Sequence, residues 1–250
     1  MITGKKVLNG LVESLNEMSL PRMAGALQTV YRSDRYNSLD HLSFLNEIVT
    51  PEYNARMETR LNNRLSTAHL KGCPEDIAMC VDSAAREYKP DGITETLGTL
   101  DFIDKGQNVC ILGPSDIGKS YLAKALGILA CSRFSVEYHH CEPLVEALAA
   151  MKAKAYDKYH KQIRQLTKRD LLIIDDFLLH SVTDEREIKV LFEIMEKRSE
   201  LGNSTIICSQ REPKSWTAMI YNDEVASNAL LKRATKHFTV VIAPRTQAAV

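Results

Sequence analysis

The chain has 250 residues, and its 32 basic residues balance its 32 acidic ones, so the formal net charge at pH 7 is zero. This balance excludes a protein that binds polyanions through its overall charge, and any nucleic-acid surface must come from local segregation of charge. The hydrophobic content of 44% is enough to bury a core.

The sequence contains no apolar stretch of the 18 residues that a membrane span needs, and its N-terminus lacks a signal-peptide core. None of the six cysteines forms a C-x-x-C pair, which favours reduced thiols over a zinc site. We therefore expect a cytoplasmic protein with no membrane partner.

The first part of the chain shows the apolar spacing of helices and little that resembles a strand. The spacing predicts four helices, the third beginning after an N-cap at Ser38 and the fourth near Pro51. The pattern breaks at residues 89–92. We therefore predict a helical N-terminal domain over residues 1–90 and a second domain over residues 91–250.

A basic stripe lies on the predicted fourth helix, where Arg56, Arg60 and Arg64 recur at four-residue intervals. Such a stripe is typical of a solvated helix face, and the same spacing would also let the side chains contact phosphates. The sequence leaves both interpretations open.

After Leu100, short apolar runs alternate with helical patterns. Strands separated by helices predict a parallel, doubly wound α/β sheet. The predicted strands are residues 108–112, 135–139, 171–174, 204–209 and 237–243.

The segment that follows the first of these strands fits the G-x-x-x-x-G-K-[ST] pattern of a phosphate-binding loop. Its glycines would let backbone N–H groups point at phosphate oxygens, at the positive end of the following helix. Lys119 would supply a charge to the β and γ phosphates, and Ser120 a ligand for Mg²⁺. The predicted nucleotide site comprises Gly113, Pro114, Ser115, Asp116, Ile117, Gly118, Lys119, Ser120 and Tyr121.

Asp116 stands where loops of this type commonly carry glycine. An acidic side chain beside phosphates is unfavourable unless it points away or meets a cation. Weak ATP affinity or slow hydrolysis is therefore an alternative that the sequence leaves open.

Polar residues follow two of the predicted buried strands. Asp175 would hold Mg²⁺ and Asp176 would orient or deprotonate the attacking water, although a plain strand end entering a turn has the same residues. Ser209 or Gln210, at the end of a later strand, could sense the γ phosphate because ligands bind at the carboxyl ends of such strands.

With these motifs in place, the chain resembles the IstB family, the helper ATPases of bacterial insertion-sequence transposition. That family is similar to the helicase loader DnaC and belongs to the AAA+ class of P-loop NTPases. The likeness rests on residues 15–27, the basic helix around residues 56–64, residues 106–109 before the loop, Ile173–Phe177, and residues 204–210 with Trp216 beyond.

The resemblance implies a parallel sheet flanked by helices, which forms an ATPase domain over residues 91–250. It also implies that the small all-α domain over residues 1–90 serves oligomerisation, partner or DNA contact. Because the sequence ends seven residues after the last predicted strand, we expect no full C-terminal lid. It implies ATP and Mg²⁺ as cofactors, with Ser120 and Asp175 at the metal. Asp176 and, more loosely, Ser209 would serve catalysis. Arg233 matches the position from which an arginine reaches a neighbouring subunit's ATP, although a surface arginine near a helix end would look the same.

The partners implied by the resemblance are DNA, expected to be double-stranded, a transposase, and further copies of the chain. Residues 151–170 include seven basic residues and only two acidic ones. This segment could therefore bind along a phosphate backbone or form a solvated helix face. Two other functions stay open: a DnaC-like helicase loader, and a nucleotide-gated DNA scaffold with negligible turnover.

Overall fold

The computed structural model describes residues 4–220 and 224–245, and within the second range the side chains from residue 228 onward. The chain divides into two compact units, Met1–Asn63 and Arg64–Val250. Among the described residues, no helix is both long enough and apolar enough to cross a membrane.

The first unit is helical. It contains α1 (Gly4–Glu17), α2 (Pro21–Arg32) and most of α3 (His41–Thr67). Leu8 and Leu15 of α1, Leu27 of α2 and Ile48 of α3 share one buried cluster. The predicted helical N-terminal region is therefore confirmed.

The third and fourth predicted helices are one continuous helix, α3, with Pro51 in its interior. The prediction of a break was wrong because tertiary contacts offset the hydrogen bond that proline removes. Immediately after Pro51, the buried Glu52 accepts the backbone N–H groups of Arg22 and Met23 at 2.9 and 3.3 Å. The N-cap is Asp40 rather than Ser38, since its carboxylate accepts the amides of residues 42 and 43.

The unit boundary lies after Asn63, whereas the sequence indicated a boundary near residue 90. Residues 64–90 belong with the second unit because Leu70, Cys80 and Tyr88 are buried in the same cluster as strand residue Ile111. The sequence pattern could not show this, since these side chains are too widely spaced to form a helical or strand period.

The second unit is built on a sheet whose strands, among the described residues, follow the order β1-β6-β2-β5-β4-β3. β1 is antiparallel to β6, and the other neighbours are parallel. The predicted parallel sheet is confirmed, with one antiparallel edge strand that the sequence did not reveal. The strands are β1 (Arg86–Lys89), β2 (Val109–Leu112), β3 (Val136–His140), β4 (Leu171–Asp175), β5 (Ser204–Ser209) and β6 (Phe238–Pro244).

Helices cover both faces of this sheet, so alternate residues of one strand enter different cores. Ile173 of β4 packs in the cluster that contains Leu122, whereas its neighbour Ile174 packs in the cluster that contains Leu148 and Leu191. The helices are α4 (Ile93–Gly98), α5 (Asp101–Asp104), α6 (Lys119–Ala130), α7 (Cys141–Lys154), α8 (Tyr156–Lys168), α9 (Glu185–Leu201), α10 (Trp216–Met219) and α11 (Glu224–Thr235).

Candidate nucleotide-binding site

The predicted phosphate loop connects β2 to the first turn of α6 and depends on two glycines. A Cβ at Gly113 would lie 2.4 Å from the carbonyl oxygen of Ile242, and a Cβ at Gly118 would lie 2.6 Å from Arg86 Nη1. Gly118 also has φ 111°, which disfavours a side chain. The loop therefore takes this path only with glycine at both positions, and it leads its amides to the N-terminus of α6.

Asp116, at φ 60°, lies in the left-handed region of backbone conformation. Aspartate tolerates this region better than most residues, although glycine is favoured there. The conformation thus explains both why glycine is common at this position and how an exposed aspartate can occupy it.

Lys119, the first residue of α6, is 6% exposed. Its ammonium donates a hydrogen bond to the carbonyl oxygen of Pro114 at 2.6 Å. Burial lowers the pKa of Lys119, while the negative charges of Asp175 and Asp176 act to raise it. A buried ammonium beside a loop of backbone amides is suited to binding a phosphate.

The two predicted carboxylates lie at the end of β4 in different environments. Asp175 is completely buried; its Oδ2 accepts the Tyr138 hydroxyl at 2.6 Å, and its Oδ1 accepts the backbone N–H of Asp176 at 2.9 Å. The Asp176 side chain is about one-third exposed, and its Oδ2 lies 3.0 Å from His140 Nδ1. The buried carboxylate is thus fixed, and the outer one faces solvent.

Sequence reasoning missed Tyr138 and His140. Both lie on β3, two residues apart, and therefore on the same side of the strand. The parallel register places His140 opposite Asp175. Only the pairing of β3 with β4 brings these side chains to the carboxylates, so no local motif could have identified them.

The loop is also held from outside the predicted motif. Arg86 of β1 donates to the carbonyl oxygen of Ile117 at 3.3 Å. The hydroxyl of Tyr121, one of the predicted nucleotide residues, accepts the backbone N–H of Asp76 at 3.2 Å. Tyr121 is therefore bonded to the segment that precedes β1, and Arg86 supports the loop although its strand carried no sequence signal.

Ser209 and Gln210, the alternatives at the end of β5, are placed differently. Ser209 is completely buried; its hydroxyl donates to the carbonyl oxygen of Phe177 at 2.9 Å and accepts the amide of Arg211 at 3.2 Å. Gln210 lines a cavity of about 660 Å³ together with Gly113 of the loop. The structure thus brings Gln210 to the loop, while Ser209 contacts the turn that follows Asp176.

Arg233 lies in the last turn of α11. Its guanidinium is 3.5 Å from the Glu196 carboxylate on α9, and its carbonyl oxygen accepts a hydrogen bond from the Asn108 side chain. Leu231 and Thr235 of the same helix line the cavity beside the loop. The Arg233 side chain is instead directed towards α9.

Comparisons with known proteins agree with this geometry. A family model described as IstB-like ATP binding protein matches residues 13–245. The chain belongs to this family. It is 33% identical to an insertion sequence ATP-binding protein of Sinorhizobium fredii over 222 residues, which are 88% of this chain and 86% of that protein. It is 28% identical to one from Bacillus thuringiensis, over 92% of this chain and 90% of that protein.

Solved structures similar to this IstB-like chain share its AAA+ fold. The DnaC helicase loader matches with a TM-score of 0.52 and 13% identity, over 69% of this chain and 98% of that one. DnaA from Aquifex aeolicus, bound to AMPPCP, matches with a TM-score of 0.55 and 20% identity, over 68% of this chain and 50% of that one. The chain thus spans half of DnaA, and at these identities the likeness concerns the fold alone.

The described residues of this IstB-like chain fit a nucleotide with its metal ion. The amides of the loop and the Lys119 ammonium are suited to a polyphosphate, in agreement with the ATP binding that the family description states. The Ser120 hydroxyl and the buried Asp175 carboxylate offer oxygen ligands of the kind that Mg²⁺ takes alongside phosphates and water.

Proposed function

We propose that this chain is an ATP-hydrolysing, DNA-binding helper protein for insertion-sequence transposition. In this proposal it assembles on double-stranded DNA and recruits or stimulates the transposase. The observation that carries the proposal is the glycine-dependent loop at the N-terminus of α6, with the buried Lys119 within the electrostatic influence of Asp175 and Asp176. The relatives named as insertion sequence ATP-binding proteins support the biological setting.

In the proposed reaction, Lys119 and the loop amides bind the β and γ phosphates. Ser120 and Asp175 would hold Mg²⁺, and a bound Mg²⁺ would supply positive charge to the phosphates. Asp176 orients the attacking water and takes its proton while the bond from the γ phosphorus to the ADP oxygen breaks. Ser209 acts indirectly, since its bond to the Phe177 carbonyl fixes the turn that carries Asp176.

Arg233 is proposed to act on the ATP of a neighbouring subunit. An arginine supplied in trans stabilises the charge that develops on the transferred phosphoryl group. The direction of its side chain towards Glu196 of α9, away from the residues that line the loop cavity, is compatible with this role. A homo-oligomer is therefore part of the proposal.

A DNA-binding surface is proposed on α8 and the last residue of α7. Two of the seven basic residues of segment 151–170 are in ion pairs, Lys152 with Glu193 and Arg169 with Glu137. The other five are exposed, and Tyr156 is 59% exposed among them. Exposed cations with an interleaved aromatic ring favour contact with a phosphate backbone. These five residues are Lys154, Lys158, Lys161, Arg164 and Lys168.

Two of the three arginines in the stripe on α3 have structural partners. Arg56 is bonded to the carboxylate of Glu52 and to the carbonyl oxygen of Ser19. Arg64 donates to the carbonyl oxygens of Cys131 and Ser132, just beyond the end of α6. Both guanidinium groups therefore have partners within the chain, and α3 is not included in the proposed DNA surface.

A nucleotide-gated scaffold with little turnover is the second candidate. Two observations favour it: Asp116 adds negative charge to the loop, and the Asp176 carboxylate is bonded to His140. The helicase-loader alternative has the DnaC-like fold in its favour.

The test is steady-state ATP hydrolysis titrated with double-stranded DNA, with oligomeric mass measured in parallel. We expect ATP-dependent assembly and turnover stimulated by DNA. Assembly without turnover would favour the scaffold, and the absence of both assembly and turnover would contradict the proposed function.

Two variants refine this test. Arg233→Ala is expected to bind ATP and assemble normally while turnover falls at least tenfold, because only the contact in trans is lost. Lys232→Ala, which removes an exposed cation at the adjacent position, serves as the control. Normal turnover in Arg233→Ala would rule out this residue as the trans arginine.

A further inference from the structure

Tyr138 is a buried side chain that none of the predicted motifs includes. It is 7% exposed, and its hydroxyl donates to Asp175 Oδ2 at 2.6 Å. The hydroxyl is therefore a hydrogen-bond donor to the carboxylate that is proposed to serve the metal.

The backbone of Tyr138 is fixed as firmly as its hydroxyl. Its N–H donates to the carbonyl oxygen of Ala68 at 3.1 Å, and its carbonyl oxygen lies 3.3 Å from His69 Nδ1. On the ring face, the Lys124 ammonium of α6 lies 5.4 Å from the ring centroid. Because the strand, the ring and the hydroxyl of Tyr138 are all held in place, the hydroxyl can hold the carboxylate in one orientation.

The Asp175 carboxylate is bonded at both of its oxygens. The backbone amide of Asp176 donates to Oδ1, and the Tyr138 hydroxyl donates to Oδ2. The amide belongs to the adjacent residue and constrains only one end of the group. The hydroxyl from β3 therefore fixes the rotation of the carboxylate about its Cβ–Cγ bond.

We infer that Tyr138 is a positioning residue for Mg²⁺, which acts by holding Asp175 in the orientation that receives the metal. This inference rests on the proposed function, in which Asp175 serves the metal. A carboxylate ligand held by a hydrogen bond loses metal affinity when that bond is removed, typically by about 10- to 100-fold. Tyr138 does not touch the nucleotide in this account, and it acts through Asp175 alone.

The chain offers a matched control in Tyr159. Its hydroxyl donates to Glu193 Oε2, also at 2.6 Å, and its side chain is completely buried. Tyr159 lies on α8 and packs in the other core cluster. Tyr138→Phe and Tyr159→Phe therefore each remove one hydroxyl-to-carboxylate bond, and only the first concerns the metal-side carboxylate.

The experiment measures binding of a fluorescent ATP analogue to the full chain, first in EDTA and then at increasing MgCl₂. Mg²⁺ is expected to increase the affinity of the chain for the analogue. We expect Tyr138→Phe to raise the Mg²⁺ concentration that gives half of this increase by about tenfold or more. The affinity of the variant for the analogue in EDTA should stay within about twofold of wild type. Tyr159→Phe is expected to match wild type in both conditions.

A second pair of variants tests whether Tyr138 acts through Asp175. In the Asp175→Asn background, adding Tyr138→Phe should cause no further shift in the Mg²⁺ dependence, because Tyr138 acts only through the carboxylate that Asp175→Asn removes. An additive further shift would overturn the inference. So would an unchanged Mg²⁺ midpoint in Tyr138→Phe, or an equal shift in Tyr159→Phe.

Failure of the proposed function has a different signature. A wild-type chain that binds no ATP analogue under any condition would overturn both the proposed function and this inference. A wild type that binds with a clear Mg²⁺ dependence, left unchanged by Tyr138→Phe, would overturn this inference alone.

Discussion

Asp116 places a negative charge within the loop that is to receive phosphates, on a backbone at φ 60°. Two effects are therefore combined in one residue: electrostatic repulsion of the nucleotide, and a left-handed conformation that glycine would adopt more readily. Glycine removes the charge and favours the conformation. Asparagine removes the charge while retaining much of aspartate's tolerance for this region.

We predict that Asp116→Gly and Asp116→Asn both bind ATP about fivefold more tightly, because each removes a repulsion of about 1 kcal/mol at an exposed site. Calorimetric titration at low and high salt checks this, since screening should reduce the gain. Asp101→Asn, at the start of α5, is the control. Unchanged affinity in both Asp116 variants would show that the carboxylate points away from the nucleotide.

At the scale of single residues, the sequence predicts the loop and the carboxylates but not the side chains that hold them in place. The loop residues are consecutive, so their pattern is visible in the sequence. Arg86, Tyr138 and His140 reach the site only through pairing within the sheet. Such contacts join residues more than thirty positions apart, and a local pattern carries no information about them.

At the scale of elements, Glu193 of α9 joins α7, α8 and α9. Its carboxylate accepts hydrogen bonds from Lys197 at 2.6 Å, Tyr159 at 2.6 Å and Lys152 at 2.9 Å. Although burial raises the pKa of Glu193, these three hydrogen bonds lower it to about 2. The helices that carry the proposed DNA surface therefore depend on an ionised carboxylate.

We predict that Glu193→Gln lowers the free energy of unfolding by about 2 kcal/mol at pH 7, because bonds to a charged acceptor are lost. Because the pKa of Glu193 is lowered in the folded state, the ionised carboxylate stabilises the fold fully above the unfolded-state pKa of 4.5, and this stabilisation is lost as the pH falls towards 2. The difference in free energy of unfolding between wild type and variant should therefore decrease as the pH falls from 4.5 towards 2. Urea unfolding of both proteins from pH 7 to pH 3 measures this difference.

The control for this prediction is Glu185→Gln, on the same helix. Glu185 pairs with Lys189 but is 78% exposed, so its loss should change stability by less than about 0.5 kcal/mol. A gap that stays constant with pH, or an equal loss in Glu185→Gln, would contradict the role given to Glu193.

Element prediction succeeds where periodicity is local and fails where tertiary contacts decide. The strand before the loop is predicted within one residue, because its apolar run is uninterrupted. The continuity of α3 through Pro51 depends on Glu52 bonding to α2. β1 is four residues long and exists through its pairing with β6, so its own sequence does not distinguish it from a loop.

At the scale of the whole molecule, the family match spans both compact units, since it runs from residue 13 to residue 245. The helical unit is therefore a shared part of the family rather than an unrelated extension. Its role in oligomerisation, partner binding or DNA contact remains a proposal. The second unit has the α/β fold of an AAA+ ATPase and contains every residue of the proposed nucleotide site.

The measurement that tests this account most directly is equilibrium binding of ATP with Mg²⁺ to wild type and to Lys119→Ala. The buried ammonium provides a charge-assisted contact to phosphate, so its removal should weaken binding by about 10- to 100-fold or abolish it. Lys105→Ala, at an exposed lysine just after α5, should bind as wild type does. Unchanged affinity in Lys119→Ala would contradict the assignment of residues 113–120 as the phosphate loop, and with it the proposed function.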